Sequence, residues 1–149
     1  MELTSISRFE RFFRETASLD VDKDDLRRYN DFINDKVYDL LIRAQAAAKA
    51  NLRDVIQPSD LPITKGLQQS IESFRKIDQE LALAPILDHL TNRPPLDMAY
   101  SDETEAELPR IAGGLSIALA HTFKILDPKL KNPHAAEWER CRQVFDELL

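Results

Sequence analysis

The sequence predicts an all-α fold built from two successive units, each with the order short helix, long helix, short helix. Two long stretches, about residues 22–52 and 101–126, carry that prediction. In both, apolar residues recur at steps of three and four, the spacing that lines one side of an α-helix. The chain has only 3 glycines and no serine-, glutamine- or proline-rich run, so order is expected almost throughout. With 149 residues, 43% of them apolar, it has enough material for one contiguous core, and a single domain over 1–149 is expected.

The first helix is expected from about Ser5 to Ala17, where Ile6, Phe9, Phe12, Phe13 and Ala17 form one stripe. Asp20 to Asp25 then supplies a turn, with Asp22 as the helix cap and the carboxylates after it favourable at a positive helix end. Leu26, Tyr29, Ile33, Val37, Leu40, Leu41, Ala44 and Ala48 continue the stripe to about Leu52 without a glycine or proline. At the standard rise that helix is about 40 Å long. Ser59 is the expected cap of the third helix, with Pro62 in its first turn, where a missing amide proton matters little. Leu67, Ile71, Phe74 and Ile77 give it a buried side.

The same order repeats in the second half. A short helix is expected over Ala82 to Leu90, interrupted early by Pro85 and ended by Asn92, Arg93, Pro94 and Pro95. A loop through Asp97 and Tyr100 reaches Ser101 or Asp102 as the next cap. Leu108, Ile111, Leu115, Leu119, Thr122, Phe123 and Leu126 mark the second long helix, which Asp127 and Pro128 stop. Pro109 is expected to kink it unless the helix effectively begins there. Asn132, Pro133 and His134 lead into a last helix with Trp138, Cys141, Phe145 and Leu148 on one side.

Directly after the first long helix stands Arg53-Asp54-Val55-Ile56-Gln57-Pro58-Ser59-Asp60-Leu61, with an arginine seven positions before an aspartate. This stretch resembles the second loop of a histone fold. The resemblance implies a clamp between Arg53 and Asp60 and a short strand pairing through Ile56. A histone-fold unit exposes its core face unless it is paired head to tail with another. Residues 1–78 as a first unit and 79–149 as a second, degenerate one would then form an intramolecular pseudodimer. The equivalent loop, Asp127 to His134, has no such arginine and aspartate and offers only Leu130 as a pairing residue. The whole chain resembles an uncharacterised bacterial family, a domain-of-unknown-function family with a single-chain tandem histone fold. The stretches Asp20 to Leu26, Leu61 to Leu67 and Leu126 to Pro133 carry that likeness. It implies a fold and brings no activity with it.

Chemistry-bearing residues are few. Gly66, Gly113 and Gly114 all fall inside helix candidates, which excludes a glycine-rich phosphate loop. Two adjacent mid-helix glycines cost on the order of 1 kcal/mol each relative to alanine, so Gly113 and Gly114 are expected at a close backbone approach, the crossing of the two long helices. His89, His121, His134 and Cys141 lack the spacing of a metal motif, and no metal or cofactor is expected. Cys141 shares a stripe with Trp138 and Phe145, as an inert buried thiol does. Serines and carboxylates match no catalytic signature, so the chain is expected not to be an enzyme. No small-molecule ligand is evident.

The formal net charge is −6, with the acidic excess lying almost wholly in residues 76–149. That balance disfavours DNA, whose phosphates need local cations. The histone likeness implies that each first loop lies beside the other unit's second loop. Lys49 and Arg53 would then neighbour the acidic stretch Asp97 to Glu107, and Lys129 and Lys131 would neighbour Asp20 to Asp25, where Lys23 is the only cation. Arg8, Arg11 and Arg14 form one further basic stripe, more commonly a solvated helix face. Glu2, Arg8, Glu10 and Arg11 break up any apolar leader, no window is long enough to span a bilayer, and one cysteine suits a reducing cytoplasm. The expected function is non-enzymatic, through contacts with a protein partner or self-association. The alternative is a bacterial histone-like, DNA-binding architectural protein.

Overall fold

A computed structural model describes residues 3–91 and 95–149. The elements are helices α1 (Leu3–Ala17), α2 (Lys23–Ala50), α3 (Lys65–Leu81), α4 (Ala84–Leu90), α5 (Asp102–Leu126) and α6 (Ala135–Leu148), with short strands β1 (Val55–Ile56) and β2 (Ala99–Tyr100). A 3-10 turn over Pro58–Asp60 links β1 to α3. The expected helix terminator Asn92, Arg93 and Pro94 lies outside the described residues, as does Glu2.

Local chemistry explains most helix ends. Asp22 caps α2 in a reciprocal box: its side chain accepts from Asp25 N–H at 2.8 Å, while the Asp25 carboxylate accepts from Asp22 N–H at 3.0 Å. Ser101 caps α5 by accepting from Thr104 N–H at 3.1 Å, with Asp102, Glu103 and Glu105 in the first turn. Helices α1, α2 and α3 end without glycine. Ser18, Leu52 and Ala82, just after α1, α2 and α3, all adopt left-handed backbone, with φ of 52°, 59° and 51°.

Several expected details are corrected. Ser59 does not cap α3, because residues 58–60 close their own turn; Thr64 caps it, accepting from Leu67 N–H at 3.1 Å. Pro85 does not interrupt α4, because the helix starts at Ala84 and the proline falls in its first turn. Pro109 lies within α5, which begins at Asp102 and runs through it. Leu148 leaves the α6 stripe and is 76% exposed, since α6 ends there.

The core is organised around α5. Every residue from Ile111 to Ile117 is buried, so this helix is enclosed on all sides. Gly113 and Gly114 show how that is reached. A Cβ at Gly113 would lie 2.2 Å from the Phe74 ring, and one at Gly114 would lie 2.5 Å from the Ile71 side chain and 3.1 Å from the Ile71 backbone N. Both partners belong to α3. The glycines therefore mark the crossing of α5 with α3, and the expected crossing of the two long helices at this point is corrected. The long helices meet instead through Tyr29 and Ser116, whose hydroxyls lie 2.7 Å apart in the interior. Ser116 donates to Ala112 O at 2.7 Å, which leaves Tyr29 as the donor to Ser116. Phe9 and Phe13 of α1 pack their rings on Tyr29 at 5.2 and 5.3 Å.

Candidate functional site

The connecting segments come together in two clusters. In the first, the end of α2, β1 and the 3-10 turn meet β2 and the start of α5. The strands pair in parallel, Val55 with Ala99 and Ile56 with Tyr100. Beyond them, Ile56 O accepts from Ser101 N–H at 2.9 Å and from the Thr104 hydroxyl at 2.8 Å, so the buried Ile56 carbonyl is satisfied by the cap of α5. Arg53 grips Asp60 through two hydrogen bonds of 2.6 and 2.5 Å, and Asp60 also accepts from Gln57 N–H at 2.8 Å. The Arg53 guanidinium holds the Asp60 carboxyl below its ordinary range, with the Gln57 amide adding to the effect against the penalty of burial. Lys49 lies 3.5 Å from Asp97, whose N–H donates to the Gln45 side chain at 3.0 Å. The cations here are thus matched to carboxylates of the same chain.

In the second cluster, the turn between α1 and α2 meets the loop between α5 and α6. Asp20 N–H donates to Lys131 O at 2.7 Å, and Leu130 is buried. Lys124 donates to Leu130 O, and Lys129 N–H donates to Asp127 at 3.1 Å. Lys23, Lys129 and Lys131 are exposed, with Asp20, Asp22, Asp24 and Asp127 exposed among them. No described strand forms at this end.

The arginines of α1 are engaged with neighbouring elements. Arg8 reaches Ala82 O at 3.4 Å. Arg11 pairs with Glu15 at 2.8 Å and lies 3.8 Å from Glu80 of α3, and Arg14 lies 3.7 Å from Asp20. All three are exposed, so each pair is weak, yet together they surround the stripe with carboxylates and a carbonyl.

Sequence reasoning missed a polar ladder joining α2 to α6. Trp138 donates its indole N–H to the buried Asp25 at 2.9 Å, Arg142 pairs with Asp35, and Lys36 pairs with Asp146 and, at 3.1 Å, with Asp39. The Phe32 and Phe145 rings pack edge to face at 4.9 Å between them. Lys36 is only 2% exposed. Burial works against its charge, but the hydrogen bonds to Asp146 and Asp39 prevail and raise its pKa. Burial pushes Asp25 the other way for a carboxyl, above its ordinary range. Only one sequence signal was available: Lys36 sits next to Val37 on the buried stripe of α2.

Cys141 is fully buried, and burial pushes its thiol up to about 12, far from thiolate reactivity at neutral pH. His89, His121 and His134 are exposed and separate. Among the described residues, no three His, Cys, Asp or Glu side chains come together as a metal-ligand group. No described helix is long and apolar enough to cross a membrane.

A family model described as a domain of unknown function, DUF1931, matches residues 9–146. The chain belongs to this family. The DUF1931 match includes both loop clusters and the whole of the α2–α6 ladder. A Thermus thermophilus protein of known crystal structure is similar to it, with 49% identity, 97% of each chain covered and a TM-score of 0.85. A second crystal structure, of an Aquifex aeolicus protein, is 25% identical over 97% of this chain and 95% of that one, also with a TM-score of 0.85. An uncharacterized protein of Aquifex aeolicus (strain VF5) is 26% identical over 141 residues, covering 95% of this chain and 82% of the relative. This predominantly helical chain thus shares its architecture with both crystal structures along nearly its full length.

Proposed function

We propose that this DUF1931 chain is a single-chain histone-fold pseudodimer without catalytic chemistry, acting through protein contacts, including contacts between its own copies, in a reducing cytoplasm. The element order supports the pseudodimer, with the division after α3, at 81/82 and not at the expected 78/79, because α3 runs unbroken to Leu81. So does the head-to-tail contact of each unit's first loop with the other's second, through β1 and β2 at one end and Asp20 to Lys131 at the other. The observation that carries the functional reading is the charge at those loop pairs. Lys49 and Arg53 are bound to Asp97 and Asp60, and Lys23, Lys129 and Lys131 are interspersed with four aspartates. A phosphate approaching either cluster meets carboxylate as readily as ammonium, so the counterion release that drives nucleic-acid binding is lost.

A duplex mobility assay at low salt tests the reading. No shift at micromolar protein is the expected result. A shift that weakens steeply as salt rises would replace it with DNA binding by an architectural protein. Affinity capture from the native cell, with and without nuclease, then separates protein partners from DNA-bridged ones. The proposed role predicts the same captured set in both.

A further inference from the structure

Two of the surface grooves differ in charge. The larger, about 550 Å³ between α3 and the start of α5, mixes Glu72, Asp78 and Glu107 with Arg75 and Arg110, so it favours neither sign. The other holds about 320 Å³ between α1, the first turns of α2 and the end of α4. That volume lies at the small end of the range for ligand pockets, about 300 to 1,000 Å³. Its apolar lining is Ile6 of α1, Leu26 of α2 and Leu90 of α4, and its polar lining is Lys23, Arg27 and Asn30, all from α2. Among the described residues no carboxylate lines it. In a chain of net charge −6, a groove whose charged lining is wholly cationic is set apart.

Lys23, Arg27 and Asn30 are spaced four and three residues apart, so they form one row along α2, with Leu26 beside them. All three offer donors. Lys23 has no ion-pair partner among the described residues, and Arg27 lies 3.9 Å from Asp24 with the two side chains 78% and 72% exposed, a pair worth little in water. Asn30 accepts from the Asn34 side chain through its backbone oxygen at 3.0 Å, while its own side-chain amide N–H groups have no acceptor among the described residues. The row thus presents an ammonium, a guanidinium and an amide donor beside an apolar floor. A carboxylate head suits the guanidinium fork, and the aliphatic floor suits an alkyl chain. Asp20, Asp22 and Asp24, which a duplex lying across the loop end would meet, do not line the groove. A small ligand inside it meets only the cations.

We propose that this groove binds a free amphipathic carboxylate, its alkyl chain on Ile6, Leu26 and Leu90 and its head on Lys23, Arg27 and Asn30. Three helices border the groove, which suits a single chain rather than a flat membrane surface. Octanoate is the probe, titrated into the full chain and followed by amide chemical shifts. Saturable shifts at Ile6, Leu26 and Leu90 are expected below about 10 mM, in keeping with a ligand of about ten heavy atoms. Lys23→Gln/Arg27→Gln should raise the dissociation constant by about tenfold or more, while Lys129→Gln/Lys131→Gln, with the same loss of charge at the neighbouring loop, should leave it unchanged. All four side chains are exposed, so both double variants should melt as wild type does. A first variant that binds as wild type, or a second that weakens as much as the first, overturns the seat on α2. Octan-1-ol or octylammonium binding as tightly as octanoate overturns the carboxylate head. Octanoate that leaves Ile6, Leu26 and Leu90 unshifted overturns the groove. Attachment to phosphatidylglycerol vesicles without binding of octanoate overturns the free ligand in favour of a membrane surface.

Discussion

The two long helices are of similar length but are held in opposite ways. In α2, buried residues recur at helical spacing and the other face is charged and solvated. In α5, the run from Ile111 to Ile117 is buried on every side, and the helix accommodates Pro109, Gly113 and Gly114 within its interior. Their ends differ too. The chain leaving α2 is braced by the Arg53–Asp60 ion pair, whereas the chain leaving α5 is held through its backbone, with Asp127 accepting from Lys129 N–H and Leu130 O accepting from Lys124. A helix with one buried face can be built from local preference plus one layer of packing. An enclosed helix needs neighbours on every side and small residues where they press closest, so α5 has a sequence that would weaken it as an isolated helix.

Four measurements can break or sharpen that contrast. The largest effect is expected for Gly113→Leu, which forces a side chain into Phe74 and should cost about 3 kcal/mol or more in denaturant unfolding. A replacement tolerated within experimental error would mean that α5 is not enclosed there. Next, Asp60→Ala should lose about 2 kcal/mol, having removed a charge-assisted pair and an amide acceptor. Because the folded Asp60 pKa is lowered, its contribution is present above the ordinary carboxyl range and is lost as pH falls through the folded value. The gap between wild type and Asp60→Ala should therefore close in acid, and a gap that widens there would refute the ion pair. Tyr29→Phe, at the meeting of α2 and α5, should cost about 1 kcal/mol for one buried hydrogen bond. Smallest is Asp127→Ala, expected within about 0.5 kcal/mol of wild type, as for an exposed side chain. A loss equal to that of Asp60→Ala would erase the difference between the two helix ends.

Much of the architecture was legible because it rests on short spacings. The Asp22 cap, the span of α2, the stop at Asp127 and the arginine seven residues before Asp60 all depend on neighbours within a turn or two. Errors came where two local signals competed. Ser59 and Thr64 are both good caps, and the chain used the one left free once residues 58–60 had formed their own turn. Proline near a helix start was harder still. Pro85 sits harmlessly in a first turn, while Pro109 sits inside α5, with an acidic first turn and the Ser101 cap ahead of it. The candidate site was less legible. The Arg53–Asp60 spacing was visible, but nothing local marks Leu52 as a left-handed, fully exposed residue.

By itself the sequence determined six helical segments, many of their ends and most of the buried stripe of α1, α2 and α5, because hydrophobic periodicity and capping act over a few residues. Tertiary structure alone decided that Gly113 and Gly114 face α3, that Lys36 is buried against Asp146, and that Trp138 bonds to Asp25 across 113 positions. Those contacts join segments whose sequences carry no signal of one another. They exist only once packing has brought the two halves of the chain together and withdrawn their polar groups from water, where an unpaired partner would be costly.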